Sequence, residues 1–387
     1  MAKAAKKRAS GKPKGGTEGA AQAAKPASGK AANGKPPRPP STPQPLNRSL
    51  HAAKATKQDE FYTQLSDIEK ELKHYSTPQR NHFKGKTVLC NCDDPKVSNF
   101  FHFFAHNFHK LGLKRLITTC YKNADPDIFS KHEGKRGLRL IYNGEQTPGG
   151  RIPALSKLDA LPLEEDGDFR SAECLDLLKQ ADIVVTNPPF SLFREYIAQL
   201  VEHRKKFLVI GNQNAITYKD VFTLIQENRL WLGASIHSGD REFGVPDHYP
   251  LNAAGTRVDV DGNKFIRVKG VRWFTNLDYD ERHDDLPLYA PYSRAKYPRY
   301  ANYDAIEVGK TADIPVDYDG AMGVPITFLD KYNPDQFEIM GSSRALGRPM
   351  SEVAKKGTFM QGGPRFYLAN GDGTYRRMYD RLVIRKK

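Results

Sequence analysis

Between residues 86 and 233, short apolar runs alternate with amphipathic stretches, and few folds accommodate that rhythm. Lys86 to Cys92 reads as a strand ending in a polar turn. Val97, Phe100, Phe101, Phe104, Phe108 and Leu111 then recur at three- and four-residue steps, which predicts a helix with one apolar face, closed by Gly112. Arg115 to Thr119 and Ala181 to Thr186 read as further strands, the second fully buried. From about Ser191, the residues Phe193, Tyr196, Ile197, Leu200 and Val201 make the buried stripe of another helix. Lys206 to Ile210 predicts a strand, Asp220 to Glu227 a helix and Leu230 to Leu232 a strand. Strand, helix, strand in this order means an α/β fold with a parallel sheet covered on both faces. Ligands of such sheets bind at the carboxyl ends of the strands. The turn after Cys90 and the turn Asn187-Pro188-Pro189-Phe190 both lie at such ends. One pocket can therefore hold a cofactor at the first and a target base at the second.

The second turn carries the sharper chemistry. A side-chain carbonyl on Asn187 can accept one hydrogen bond from a planar exocyclic amine, and the Pro188 carbonyl can accept the other. Two successive prolines fix the backbone that aims these acceptors. Phe190 supplies a face for a flipped-out base. Together they suit an amine that loses its planar resonance while attacking a methyl group. The plain alternative is that Pro188-Pro189 only ends a strand and begins a turn.

Other constellations are more open. Asn91-Cys92-Asp93-Asp94-Pro95 can cap the next helix, or bind the ammonium and hydroxyls of a nucleoside cofactor. Asp168-Phe169 can offer a carboxylate to an adenine amine, or form a surface loop. Phe61-Tyr62-Thr63 reads as a helix entry or as a segment folding over the cofactor. His102, His106 and His109 share helical spacing, but Phe103 stands where a His-Glu-x-x-His site needs glutamate, so no metal is expected.

After residue 233 the rhythm changes. Arg257 to Thr275 looks like strands turning at Asp261-Gly262-Asn263, and Arg365 to Lys387 like a hairpin around Asn370-Gly371-Asp372-Gly373. Tyr289 to Tyr303 interleaves aromatics and bases, as phosphate contact plus base stacking would require, and Tyr292, Arg294, Lys296, Tyr297 and Arg299 are the candidate DNA contacts. A tyrosine-rich loop packed on a sheet would look the same.

Charge separates the chain into parts. Residues 1–57 hold thirteen Lys/Arg and one acid, Glu18, so they carry +12 of the net +15 and leave +3 for the remainder. With almost no large apolar side chain before Leu46, that tail is expected to be disordered. It would touch nucleic acid non-specifically or act only as a solubilising extension. No signal-peptide core and no membrane span is expected, and four scattered cysteines without a Cys-x-x-Cys pair suit a reduced, cytoplasmic protein. The expected division is a tail, 1–57, a catalytic domain, 58–233, and a C-terminal region, 234–387, that completes the core and recognises DNA.

With these residues in hand, the chain from about Asp59 to its end resembles the EcoRI-type adenine-specific DNA methyltransferases. The most specific stretches are Val88 to Pro95 with Ser98-Asn99-Phe100, Thr186 to Ser191, Gly211 to Ala215, Trp273 to Asn276, Tyr303 to Val308 and Gly323 to Tyr332. The resemblance implies an S-adenosylmethionine-dependent, Rossmann-like sheet with a C-terminal mixed α+β target-recognition region. It also implies methyl transfer to the exocyclic amine of a flipped adenine in double-stranded DNA. Asn187 to Phe190 would be catalytic, while Tyr62, Thr63, Asn91, Asp93, Asp94, Asp168 and Phe169 would bind the cofactor. The Cys-Asn-Cys-Asp-Asp turn departs from the glycine-rich loop of methyltransferases at large but fits this family. A monomer is expected, paired in function with a restriction endonuclease. The same motif also serves RNA base-amine and protein glutamine methyltransferases, and a catalytically inactive DNA-binding protein on this scaffold is the alternative from another class.

Overall fold

A computed structural model describes residues 61–92, 94, 98–121, 136–147, 152–153, 158, 160–237, 240–245, 249, 251 and 255–387. All of them belong to one compact unit, Asn47–Lys387. The expected basic tail lies outside the described residues, as does Asp93 of the first turn.

An eight-stranded sheet runs in the order Ala160–Pro162, Leu138–Tyr142, Arg115–Cys120, Thr87–Asn91, Ile183–Thr186, Lys206–Asn212, Val271–Thr275, Trp231–Leu232. The four middle strands are parallel. The outer strands pair antiparallel with their neighbours, so the sheet is mixed where the sequence pattern predicts a parallel one. Its seventh strand, Val271–Thr275, comes from beyond residue 233 and slots between Lys206–Asn212 and Trp231–Leu232.

Every residue of Thr87–Asn91 and of Ile183–Thr186 is buried, as the near-continuous apolar runs require. Successive side chains go to opposite faces. Leu89 and Val184 join the layer formed with the helices Ala172–Gln180 and Phe193–Glu202. Val88, Cys90, Ile183 and Val185 join the other, formed with the helices Leu65–Leu72 and Asn99–His106. The helix predicted from Val97 to Leu111 is broken: Asn107 separates Asn99–His106 from Phe108–Leu111. Its side-chain Nδ2 and its backbone N–H both donate to the Phe103 carbonyl, at 2.9 and 3.0 Å, and its backbone turns out of the helical region with φ −99° and ψ 11°. Gly112 closes the second piece in the left-handed region, φ 67°.

Two further sheets flank this core. Tyr62–Thr63, Asp240–Val245, Lys264–Lys269 and Thr256–Val258 form an antiparallel sheet. Its predicted turn is held by the Asp259 carboxylate, which accepts from the backbone of Asp261 and Asn263. Ile306–Glu307, Met322–Pro325, Arg381–Lys386 and Phe337–Ser342 form the C-terminal sheet. Beside it, Tyr367–Ala369 pairs with Tyr375–Arg377 across the predicted hairpin turn. Among the described residues, no helix is long and apolar enough to cross a membrane.

Candidate active site

Thr87–Asn91 and Ile183–Thr186 are direct neighbours in the sheet, so the two turns singled out by sequence leave it side by side. They are also tied together. The Thr186 hydroxyl donates to the Asn91 carbonyl, and the Tyr196 hydroxyl donates to Asn91 Oδ1. All three residues are buried. Asn91 was expected to contact a cofactor, yet its side-chain oxygen is engaged inward by the helix that follows the second turn. The next residue, Cys92, takes φ 65°, a left-handed conformation that glycine adopts more easily. The chain thus makes with cysteine a turn that other loops of this kind make with glycine.

Asn187 is 7% exposed. Its Nδ2 donates to the Phe61 carbonyl at 2.7 Å, while its Oδ1 is buried with no hydrogen-bond partner. The opposite amide orientation would set two acceptors against each other at that separation, so Phe61 decides which end of the amide is left open. A buried carbonyl oxygen left without a donor costs about 1–3 kcal/mol, which a substrate N–H can recover. Pro188 is buried, and Pro189 and Phe190 are half-buried. Phe190 begins a short 3-10 turn, Phe190–Leu192, that leads into the helix Phe193–Glu202.

An aromatic group surrounds that turn. Phe61 lies edge-on to Phe190 with ring centres 5.9 Å apart, and Phe243 lies 5.8 Å from Phe61 and 6.4 Å from Phe190. Tyr249 completes the group, 6.2 Å from Phe61. Sequence reading did not single out Phe243 or Tyr249; the only available signal for the former was the alternation in Glu242-Phe243-Gly244-Val245.

Of the other expected cofactor residues, Tyr62 is half-buried and Thr63 is buried with its hydroxyl oxygen unpartnered, as is that of Thr119, opposite Asn91 on the strand beside Thr87–Asn91. Asp94 accepts the Ser98 backbone N–H through its carbonyl at 2.7 Å. Its neighbour Ser98 accepts from Phe100 N and Phe101 N, so the cap on the following helix is Ser98 rather than the acidic turn. Asp168 is half-buried and gripped by Arg170, whose Nε and Nη2 reach its carboxylate at 2.9 and 2.7 Å and whose Nη1 reaches Glu195 at 2.9 Å. Phe169 is buried edge-on against Tyr196, so its ring anchors the loop in the core. Of the three histidines, His106 bonds the His102 carbonyl and His109 the Gly144 carbonyl.

A family model described as adenine-specific methyltransferase EcoRI matches residues 49–387. The chain belongs to this methyltransferase family. It is 52% identical over 296 residues to the Type II methyltransferase M.EcoRI of Escherichia coli, covering 76% of this chain and 89% of that protein. It is 40% identical over 347 residues to the Type II methyltransferase M.MpnI of Mycoplasma pneumoniae, covering 87% of this chain and 98% of that one. A third relative, M.MgeORF184P of Mycoplasma genitalium, is 37% identical over the same length. No solved structure matches the chain.

For a methyltransferase of this family, the basic-aromatic stretch needs one correction. Tyr297 is 2% exposed, and its hydroxyl donates to the Asp313 carbonyl at 2.7 Å. It stacks on Tyr292 and packs with the core, so it offers no free face to a base. Arg294, Lys296 and Arg299 are exposed, with Lys296 paired to Asp313 at 3.2 Å and Arg299 to Asp304 at 3.2 Å.

Proposed function

We propose that this adenine-specific DNA methyltransferase acts on an adenine flipped from duplex DNA into the pocket at the ends of Thr87–Asn91 and Ile183–Thr186. The observation that carries this reading is the unpartnered, buried Oδ1 of Asn187 beside a Nδ2 already held by Phe61. Asn187 Oδ1 and the Pro188 carbonyl accept the two N–H bonds of the adenine amine. As the nitrogen attacks, these hydrogens grow more positive and the two acceptors stabilise them, each by an amount comparable to an oxyanion-hole donor, about 10²–10³ in rate. Phe190 stacks on the base, and Phe61 and Phe243 brace Phe190. The proton leaves afterwards to water, with no metal and no covalent enzyme intermediate.

The implied cofactor is S-adenosylmethionine, which when bound supplies an electrophilic methyl group on a sulfonium. The buried, unpartnered hydroxyl oxygens of Thr63 and of Thr119, the latter in register with Asn91, suit a ligand rich in hydroxyls and amines. Tyr62, Thr63 and Asp94 would hold it, with Asp168 offering a carboxylate once Arg170 swings aside. Asn91 and Phe169 would act from behind, fixing the turns. The eight-stranded sheet would then be the Rossmann-like methyltransferase core, with the region after residue 233 completing it and reading the DNA through Tyr292, Arg294, Lys296 and Arg299. The enzyme would act as a monomer, its counterpart being a restriction endonuclease that it need not contact.

Transfer of labelled methyl from S-adenosylmethionine to unmethylated duplex DNA, followed by nucleoside analysis, tests the proposal. N6-methyladenine is the expected product, and Asn187→Ala should remove it while leaving cofactor binding intact. Label on structured RNA with none on DNA would overturn the substrate, and near-normal methylation by Asn187→Ala would overturn the site.

A further inference from the structure

Among the described residues, the strand Tyr62–Thr63 forms one edge of its sheet, pairing with Asp240–Val245 through Tyr62↔Gly244 and Thr63↔Phe243. Carbonyls alternate along a strand, so those of Phe61 and Thr63 point to the same side. A bare edge would leave both without donors in a buried setting. Here two asparagine side chains fill that role. Asn187 Nδ2 donates to the Phe61 carbonyl at 2.7 Å, and Asn99 Nδ2 donates to the Thr63 carbonyl at 2.7 Å. Asn99 is the first residue of the helix Asn99–His106, which follows the cofactor turn. One short strand is thus pinned at alternate residues by the cofactor side and the catalytic side of the pocket.

We propose that Asn99 is a positioning residue for methyl transfer. By holding the Thr63 carbonyl it sets the register of the strand, and so places the Phe61 carbonyl against Asn187 Nδ2. That contact keeps Asn187 Oδ1 turned toward the substrate amine. An amide whose Nδ2 lost this acceptor would be free to rotate about its last torsion and present a donor to a donor. The inference rests on the assignment of Asn187 as the acceptor for the adenine amine.

Two variants of the full chain separate positioning from folding. Asn99→Ala removes the donor and some volume. Asn99→Asp keeps the volume and removes the donor, and its negative charge in the first turn of a helix offsets part of the lost bond. Both should lower the single-turnover rate of methyl transfer, at saturating S-adenosylmethionine and DNA, by about tenfold, the scale expected for a small misplacement of a reacting group. The KM for DNA should stay within about twofold of the parent value, and Asn99→Asp should still unfold in one cooperative transition, somewhat below the parent temperature because the Thr63 carbonyl loses its donor. Saturating rates within about twofold of the parent for Asn99→Asp would overturn the proposal, whatever Asn99→Ala does to stability. An inactive Asn187→Ala measured alongside would confine that failure to Asn99; an active one would remove the catalytic assignment beneath it.

Discussion

The Tyr196 hydroxyl donates to Asn91 Oδ1, so the helix Phe193–Glu202, which begins beyond the turn Asn187-Pro188-Pro189-Phe190, grips the last residue of the strand Thr87–Asn91. Both residues are buried, Tyr196 completely. Tyr196→Phe keeps the ring in its edge contact with Phe169 and leaves Asn91 Oδ1 without its donor. The cost should be about 1–3 kcal/mol, seen as a lower urea midpoint with an unchanged slope. Because the strained Cys92 follows directly, the affinity for S-adenosylmethionine should fall as well, by titration calorimetry. An unchanged midpoint would mean that the bond contributes nothing.

Gly167 precedes Asp168 with φ 81°, and a Cβ there would stand 2.2 Å from the Cys120 carbonyl oxygen. Gly137 packs against the same carbonyl, where a Cβ would stand at 2.7 Å. The backbone therefore has no room to yield, and Gly167→Ala must displace the loop that carries Asp168. Weaker S-adenosylmethionine binding, by about tenfold or more, is expected in a protein that still binds DNA. Equal cofactor affinity for parent and variant would detach Asp168 from the cofactor site.

Period and turn chemistry were legible from sequence where they act locally. The strands ending at Asn91 and Thr186, the stripe from Phe193 to Leu200, the cap at Gly112 and the turns at Gly262 and Gly371 all follow from side chains within a few residues. What pairs with what across the chain was not legible. Nothing near Asn187 announces that residue 61 orients it, since the bond spans 126 positions and ends on a backbone carbonyl that any residue could supply. The antiparallel insertion of Val271–Thr275 was hidden for the same reason: a fully buried strand looks alike in either direction. Tyr297 misled because an aromatic among bases reads as a DNA contact, although its register turns it inward onto the core. At Asn107 the backbone leaves helical geometry, φ −99° and ψ 11°, and breaks a helix that the apolar period supports.

Asp330 meets Arg272 at 3.5 Å, where Arg272 Nε and Asp330 Oδ1 both lack hydrogen-bond partners. Burial pushes the carboxyl up to about 6 from 3.8, more than Arg272 and Lys331 pull it down. The fold therefore favours the protonated form, and the native state binds more protons than the unfolded chain between those two values. Stability from this group is present at low pH and is lost as pH rises through about 6. Asp330→Asn mimics the protonated acid and leaves Arg272 bonded to the Val271 and His237 carbonyls. It should match the parent near the acid end of that window and exceed it above pH 7 by roughly 1–3 kcal/mol in urea unfolding. A variant less stable than the parent at pH 8 would show that the Arg272 attraction outweighs desolvation.

The exposed bases after Tyr289 differ in what they are free to do. Lys296 faces Asp313 and Arg299 faces Asp304, both carboxylates close enough to cancel much of the cation's attraction for a phosphate. Arg294 is exposed on the same stretch, near the Tyr292–Tyr297 stack that stiffens it. Neutralising each in turn to alanine should therefore give unequal effects. Arg294→Ala should weaken binding to DNA of any sequence and reduce the slope of log K against log salt by about one, the signature of one lost phosphate contact. Lys296→Ala and Arg299→Ala should change that slope less, because each removes an ion pair along with a charge. Fluorescence anisotropy across a salt series reads all three. If none of them alters the slope, the segment lies off the DNA.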